Sequence, residues 1–240
     1  MRVYRLGIIG GCLSHQAGTP ISQLYHRVLS GLLDEACDVT LRPVIESSFS
    51  LPLDERLAAV ALRQPDLVLV HARNSPLIRS CRLYRRTVPP AEPVAPRRRD
   101  GGDSARPVRE AGEAFSRPPH TTLISQFNIA LGVLTGRHRR FADGMVREIM
   151  RAESVSAGEA MVAPIVVGFT MRYRGFGDRL ACAAADRALR RACGRSGLAF
   201  VDLLPGFERR FCLTDGHHLT VDGHRFMAER LFAQIAPLVG

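Results

Sequence analysis

Short apolar runs alternate with longer stretches of helical period along most of the chain. The runs are 3–9 (VYRLGII), 39–45 (VTLRPVI), 66–71 (DLVLVH), 161–167 (MVAPIVV) and 199–203 (AFVDL). Each has strand length and is rich in Val, Ile and Leu. Between them, Ile21, Leu24, Tyr25, Val28, Leu29 and Leu32 recur at three- and four-residue spacing. That period predicts a helix near 20–35, and similar patterns predict helices near 53–63, 125–153, 176–195 and 221–236. Strands that alternate with helices predict a mainly parallel five-stranded sheet covered by helices on both faces. Ligands of such sheets bind beyond the carboxyl ends of the strands. Cys12, Asn74 and the loop holding His218 all fall at or just after such ends.

One stretch breaks the alternation. Residues 87–119 hold seven of the 15 prolines, with Arg97-Arg98-Arg99 and Gly101-Gly102. This predicts an inserted loop within a single domain spanning 1–240, since a chain of 240 residues with 46% hydrophobic content can bury one substantial core. Charge sharpens the picture. There is no lysine, so all 33 basic residues are arginine against 23 acids, for a net charge of +10. Ten of those arginines and five acids lie between Arg79 and Arg117, which supplies half of the excess. Such a stretch is a solvated loop by default, or a surface for an acidic carrier or a phosphate, which arginine grips as a fork. No nucleic-acid motif accompanies it and aromatics are 6%, so no nucleic-acid partner is expected.

The six cysteines are scattered without a C-x-x-C pair, so neither a zinc site nor any other metal is expected. No 18-residue apolar run exists, and Leu6–Ile9 is too short for a secretory leader. A cytoplasmic protein with no membrane partner is the expectation.

Three positions then carry candidate chemistry. Cys12 follows Gly10-Gly11 at the end of the first run, where a tight strand-to-helix turn projects a side chain into the cleft. A thiolate there gains from an imidazolium partner. The alternative is a buried structural cysteine. Asp215-Gly216-His217-His218 puts a carboxylate three residues before an imidazole, close enough to turn back and fix its tautomer. The alternative is a surface Asp-Gly turn. His217 is a rival base, but in an extended loop its ring points away from that of His218. A metal site of Asp215, His217, His218 and His224 lacks a known ligand spacing. Asn74 ends the third run, and its amide suits an oxyanion donor beside the Cys12 N–H; the alternative is a turn asparagine before Ser75-Pro76. Arg73 and Ser14 are expected to bind substrate. Ser14 is also a residual nucleophile candidate, two residues past the expected position.

Taken together these blocks resemble the SGNH, or GDSL-type, hydrolase superfamily. Its opening Gly-Asp-Ser-Leu-Ser/Thr block is similar to Gly10-Gly11-Cys12-Leu13-Ser14. Its Gly-x-Asn-Asp block resembles Ala72-Arg73-Asn74-Ser75. Its last block, Asp-Gly-x-His-Leu-Ser followed by Gly-His, is similar to Asp215-Gly216-His217-His218-Leu219-Thr220 with Gly223-His224. The resemblance touches the whole chain except the 87–119 insertion. It implies a flavodoxin-like three-layer α/β/α fold and a nucleophile–His–Asp triad.

Two departures bear on chemistry. Serine is replaced by Cys12, and the neighbouring aspartate by Gly11, which removes a charge that would raise a thiol's pKa. The second-block glycine, an oxyanion donor, has no counterpart in 44–50, where a backbone N–H of Ser47 or Ser48 is the available substitute. A thiol nucleophile suits a thioester donor, because the exchange trades similar bonds. The reading is cysteine-dependent acyl transfer from a carrier-protein or coenzyme A thioester to a small-molecule amine or alcohol, with no cofactor. Two rivals stay open: an esterase or thioesterase that passes the acyl group to water, and a catalytically silent SGNH-like binding protein. A cysteine phosphatase fails, because Gly18 stands where its arginine is needed.

Overall fold

The computed structural model describes residues 2–16, 18–46, 51–72, 123–155, 164–173 and 175–240, without the side chains of Cys12, Ile124, Ser125, Glu153, Ser154 and Val155. Arg73, Asn74, Ser47, Ser48 and the 87–119 insertion lie outside the described residues.

Five parallel strands form one sheet in the order β2-β1-β3-β4-β5. They are β1 (Arg2–Ile9), β2 (Val39–Glu46), β3 (Leu67–His71), β4 (Ile165–Val167) and β5 (Phe200–Val201). Side chains alternate across a strand, so a run that is apolar at every position must be covered on both faces. Leu6 and Ile8 of β1, Leu69 of β3 and Val167 of β4 meet α1 (Tyr25–Cys37) and α6 (Val221–Val239) through Leu29, Leu33, Leu231 and Ile235. Ile9, Val68, Val70 and Val166 face the opposite layer. There they meet Leu57 and Val60 of α2 (Leu53–Ala61), Ile149 of α4 (Arg137–Val155) and Leu189 of α5 (Phe176–Arg195). The result is the expected three-layer α/β/α fold. Among the described residues no helix is long and apolar enough to cross a membrane.

Two predicted elements differ in detail. The helical stretch near 125–153 is two helices, α3 (Leu123–Leu134) and α4. Gly136 adopts φ 71°, the left-handed conformation that ends a helix, and its N–H donates to Val133 at 3.0 Å. The fifth strand is two residues long, because the Asp202 carboxylate accepts the Leu204 N–H at 3.0 Å and turns the chain.

The strand order places the site. From β1 the chain crosses to β2 on one side, then returns to β3 on the other. In a sheet of this order the switch point lies between the carboxyl ends of β1 and β3, where ligands of such sheets bind. The turn after β1 starts at that end of the sheet.

Candidate active site

A 3-10 turn, Cys12–His15, starts three residues past the end of β1 and is closed by Ser14 N–H donating to Gly11 at 3.1 Å. The backbone of Cys12 opens this turn. Its approach is held tightly. Gly10 N–H donates to Glu46 at 3.0 Å, which extends the β1–β2 ladder by one residue. The buried guanidinium of Arg56 donates to the Gly10 carbonyl at 3.0 Å. A Cβ on Gly10 would run into the Ser14 hydroxyl, so the close approach requires glycine.

The underside of the turn is polar and buried. Tyr25 OH lies 3.1 Å from Ser14 Oγ and 2.8 Å from His71 Nε2, at the end of β3. His26 Nε2 donates to the Ser14 carbonyl at 3.2 Å. Burial pushes the Tyr25 phenol well above its usual range, the Ser14 bond offsetting part of that, so it stays neutral. Ser14 itself is 1% exposed. Its hydroxyl therefore anchors the turn from inside, a role that replaces the direct substrate contact expected of it.

The second half of the site is the 212–220 loop. Cys212 and Leu219 form an antiparallel bridge, with Leu213 N–H donating to the His218 carbonyl at 2.7 Å and Thr220 N–H to Phe211 at 3.0 Å. Gly216, at φ 67°, makes the turn between the two bridged segments. This curls Asp215 back toward His218. Asp215 Oδ2 accepts from His218 Nδ1 at 2.5 Å, and Oδ1 accepts the backbone N–H of His217 at 2.9 Å and of His218 at 3.0 Å. Burial alone would raise the Asp215 carboxyl. The His218 ring bond and the two backbone donors overcome it and hold the group far below the ordinary carboxylate range. Asp215 is thus an anion locked at the Nδ1 edge of the imidazole.

The loop corrects one expectation. It is curled, not extended, and the His217 and His218 rings lie side by side, centroids 4.9 Å apart. They do not point away from one another. The spacing argument for Asp215 and His218 still ends in a direct bond. Thr220 caps α6 by accepting Gly223 N–H at 3.1 Å, which fixes where the loop ends.

Gln16, Tyr25, His26 and Arg56 gave no sequence signal as site residues. Gln16 is 4% exposed. Its Nε2 donates to the Leu219 carbonyl at 2.6 Å and to Thr19 Oγ1 at 2.9 Å, and its Oε1 accepts the Leu219 N–H at 2.9 Å. The side chain thus joins the Cys12 turn to the residue after His218.

His224 is fully buried, stacked over Tyr25 at 6.4 Å, and neither ring nitrogen has a hydrogen-bond partner among the described residues. Burial, with the nearby charges of His26 and His218, pulls its pKa down to about 4. The unfolded chain takes up this proton near pH 6.5 and the native state only near 4. Stability from this group is therefore complete above pH 6.5 and lost as pH falls toward 4, by on the order of 3 kcal/mol. His224→Leu is expected to flatten the stability profile in that window. Denaturant melts at pH 7.5, 6 and 4.5 check it. An unchanged slope in the variant would place the acid sensitivity elsewhere. Asp215 acts in the same direction but at lower pH, so the two are separable.

No protein-family model matches the sequence, and a search of curated proteins finds no relative. Solved structures do share the fold. TesA is similar over 98% of this chain and 99% of its own, at 17% identity and a TM-score of 0.57. A catalytic mutant of Axe2, an acetylxylan esterase from Geobacillus stearothermophilus, is similar over 97% and 94%, at 14% identity and a TM-score of 0.57. A member of the lipolytic G-D-S-L family from Veillonella parvula is similar over 95% and 96%, at 9% identity and a TM-score of 0.54.

Proposed function

We propose that this chain is a divergent SGNH-type enzyme that transfers acyl groups through a thioester on Cys12. The observation that carries the reading is the 2.5 Å bond between Asp215 and His218 Nδ1 on a loop tied to the Cys12 turn. With Nδ1–H committed to the carboxylate, Nε2 is the nitrogen that takes a proton. The anionic Asp215 stabilises the imidazolium that results.

The reaction then runs in two halves. His218 Nε2 takes the proton from the Cys12 thiol, and the thiolate attacks the acyl carbon of a thioester donor. The Cys12 backbone N–H and the Asn74 amide, carried over from the family pattern, hold the developing oxyanion. The donor's carbon–sulfur bond breaks, and its thiolate leaves with the proton from His218. An amine or alcohol next gives its proton to His218 and attacks the Cys12 thioester. The thioester breaks, releasing the ester or amide, and the proton returns to Cys12. A coenzyme A or carrier-protein donor fits the ten arginines of 79–117, which suit a phosphate or an acidic surface.

Hydrolysis is the second reading, favoured by fold likeness to a protein described as an acetylxylan esterase. Product partition separates the two. Added amine diverts acyl groups from free acid to amide in a transferase and leaves a strict hydrolase unchanged.

Thiol reactivity tests the nucleophile. Burial pushes Cys182 and Cys212 up to about 12 and Cys193 up to about 11, so these thiols stay protonated at neutral pH. Cys37 is half-buried and serves as the accessible control. Iodoacetamide at pH 6–7 is expected to alkylate Cys12 ahead of every other cysteine, as read by peptide mass mapping. Labelling of Cys37 first, or of Cys12 at the same rate, would count against a catalytic thiolate.

A further inference from the structure

We infer that Gln16 is a positioning residue that sets the distance and angle between the Cys12 turn and the His218 imidazole. The inference rests on the reading of Cys12 as the nucleophile and of His218 as its base. Gln16 lies four residues past Cys12, and its partner, Leu219, directly follows His218. The two are 203 residues apart in sequence. A glutamine side chain ends in an amide, which has the donor and acceptor of a peptide group. Here it is used as one. It accepts the Leu219 N–H and donates to the Leu219 carbonyl, as a neighbouring strand would.

The surroundings make this staple specific. The other side of the segment is already taken by the bridge to Cys212, so His218–Thr220 lies between the 211–213 backbone and the Gln16 amide. Both Nε2 hydrogens are committed, one to Leu219 and one to Thr19 Oγ1, while Oε1 faces an N–H donor. The amide therefore has one orientation that satisfies every group, and reversing it would set like against like. Gln16 is only 4% exposed, which shields these bonds from competing water. The nucleophile turn and the base loop come from opposite ends of the chain. A misplacement of about 1 Å between reacting groups can cost about a hundredfold in rate.

The test uses the whole 240-residue chain and iodoacetamide as the probe of the Cys12 thiolate. Gln16→Ala removes both bonds to Leu219. Gln16→Met removes the same bonds while keeping the length of the side chain, and guards against simple loss of packing. Each variant is expected to alkylate Cys12 about tenfold or more slowly than wild type at pH 6.5, with the midpoint of the pH profile moved up toward the ordinary thiol value of about 8.5. A merely structural role would lower the melting temperature without moving that midpoint. The double variant Gln16→Ala/His218→Ala decides whether Gln16 acts through His218. Its rate is expected to equal that of His218→Ala alone, because the base being positioned is already gone.

The outcomes separate the two levels of the reading. If wild-type Cys12 titrates as an ordinary thiol, the assignment of Cys12 as nucleophile fails, and this inference with it. If wild-type Cys12 titrates low and both Gln16 variants titrate equally low, or if the double variant shows additive losses, the staple is overturned while the nucleophile stands.

Discussion

His218→Ala is expected to cost about 10³-fold or more in acyl transfer, while His217→Ala leaves most of the rate. The contrast follows from the loop. The His218 ring donates its Nδ1–H to the buried Asp215 carboxylate at 2.5 Å, so its loss removes the base and leaves an anion with one partner fewer. His217 is held by its backbone N–H, which donates to Asp215 at 2.9 Å and survives substitution by alanine. Rates of acyl release from a thioester, with melting temperatures to confirm folding, check the pair. The reverse ranking would make His217 the base and shift the last block by one residue.

Cys12→Ser is expected to fold and to be nearly inactive, although serine is the residue of the family pattern. A hydroxyl holds its proton far more tightly than a thiol, so it needs a stronger base and fuller oxyanion support in the transition state. Gly11 in place of the pattern's aspartate suits a thiol, and the missing second-block glycine leaves a serine less help at the oxyanion. Robust ester hydrolysis by Cys12→Ser, measured with p-nitrophenyl acetate, would show a generic hydrolase site and remove the reason to prefer a thioester donor.

How far the sequence announces these features depends on how local each one is. The sheet is legible because both faces of β3, β4 and the carboxyl half of β1 are buried, which leaves continuous apolar runs. The Asp215–His218 pair was legible because its members are three residues apart with a glycine to turn the loop. The break between α3 and α4 was not, since Gly136 sits inside an apolar rhythm that a single long helix satisfies equally well. Gln16, Tyr25 and Arg56 were silent for a different reason. Each acts on a group 46 to 203 residues away in sequence, and only the packed sheet brings those groups within reach. Ser14, expected to bind substrate, lies against Tyr25 on the buried side of the 3-10 turn.

Intact-protein mass after exposure to acetyl-coenzyme A and to p-nitrophenyl acetate reads the proposed acyl group on Cys12. A mass gain of one acetyl group is expected on wild type, mapped to Cys12 and released by neutral hydroxylamine as a thioester should be. No such gain is expected on Cys12→Ala, and a slow one on His218→Ala. An acetyl group that appears equally on Cys12→Ala, or turnover with no adduct on Cys12 at any time after mixing, would rule out Cys12 as the acyl carrier.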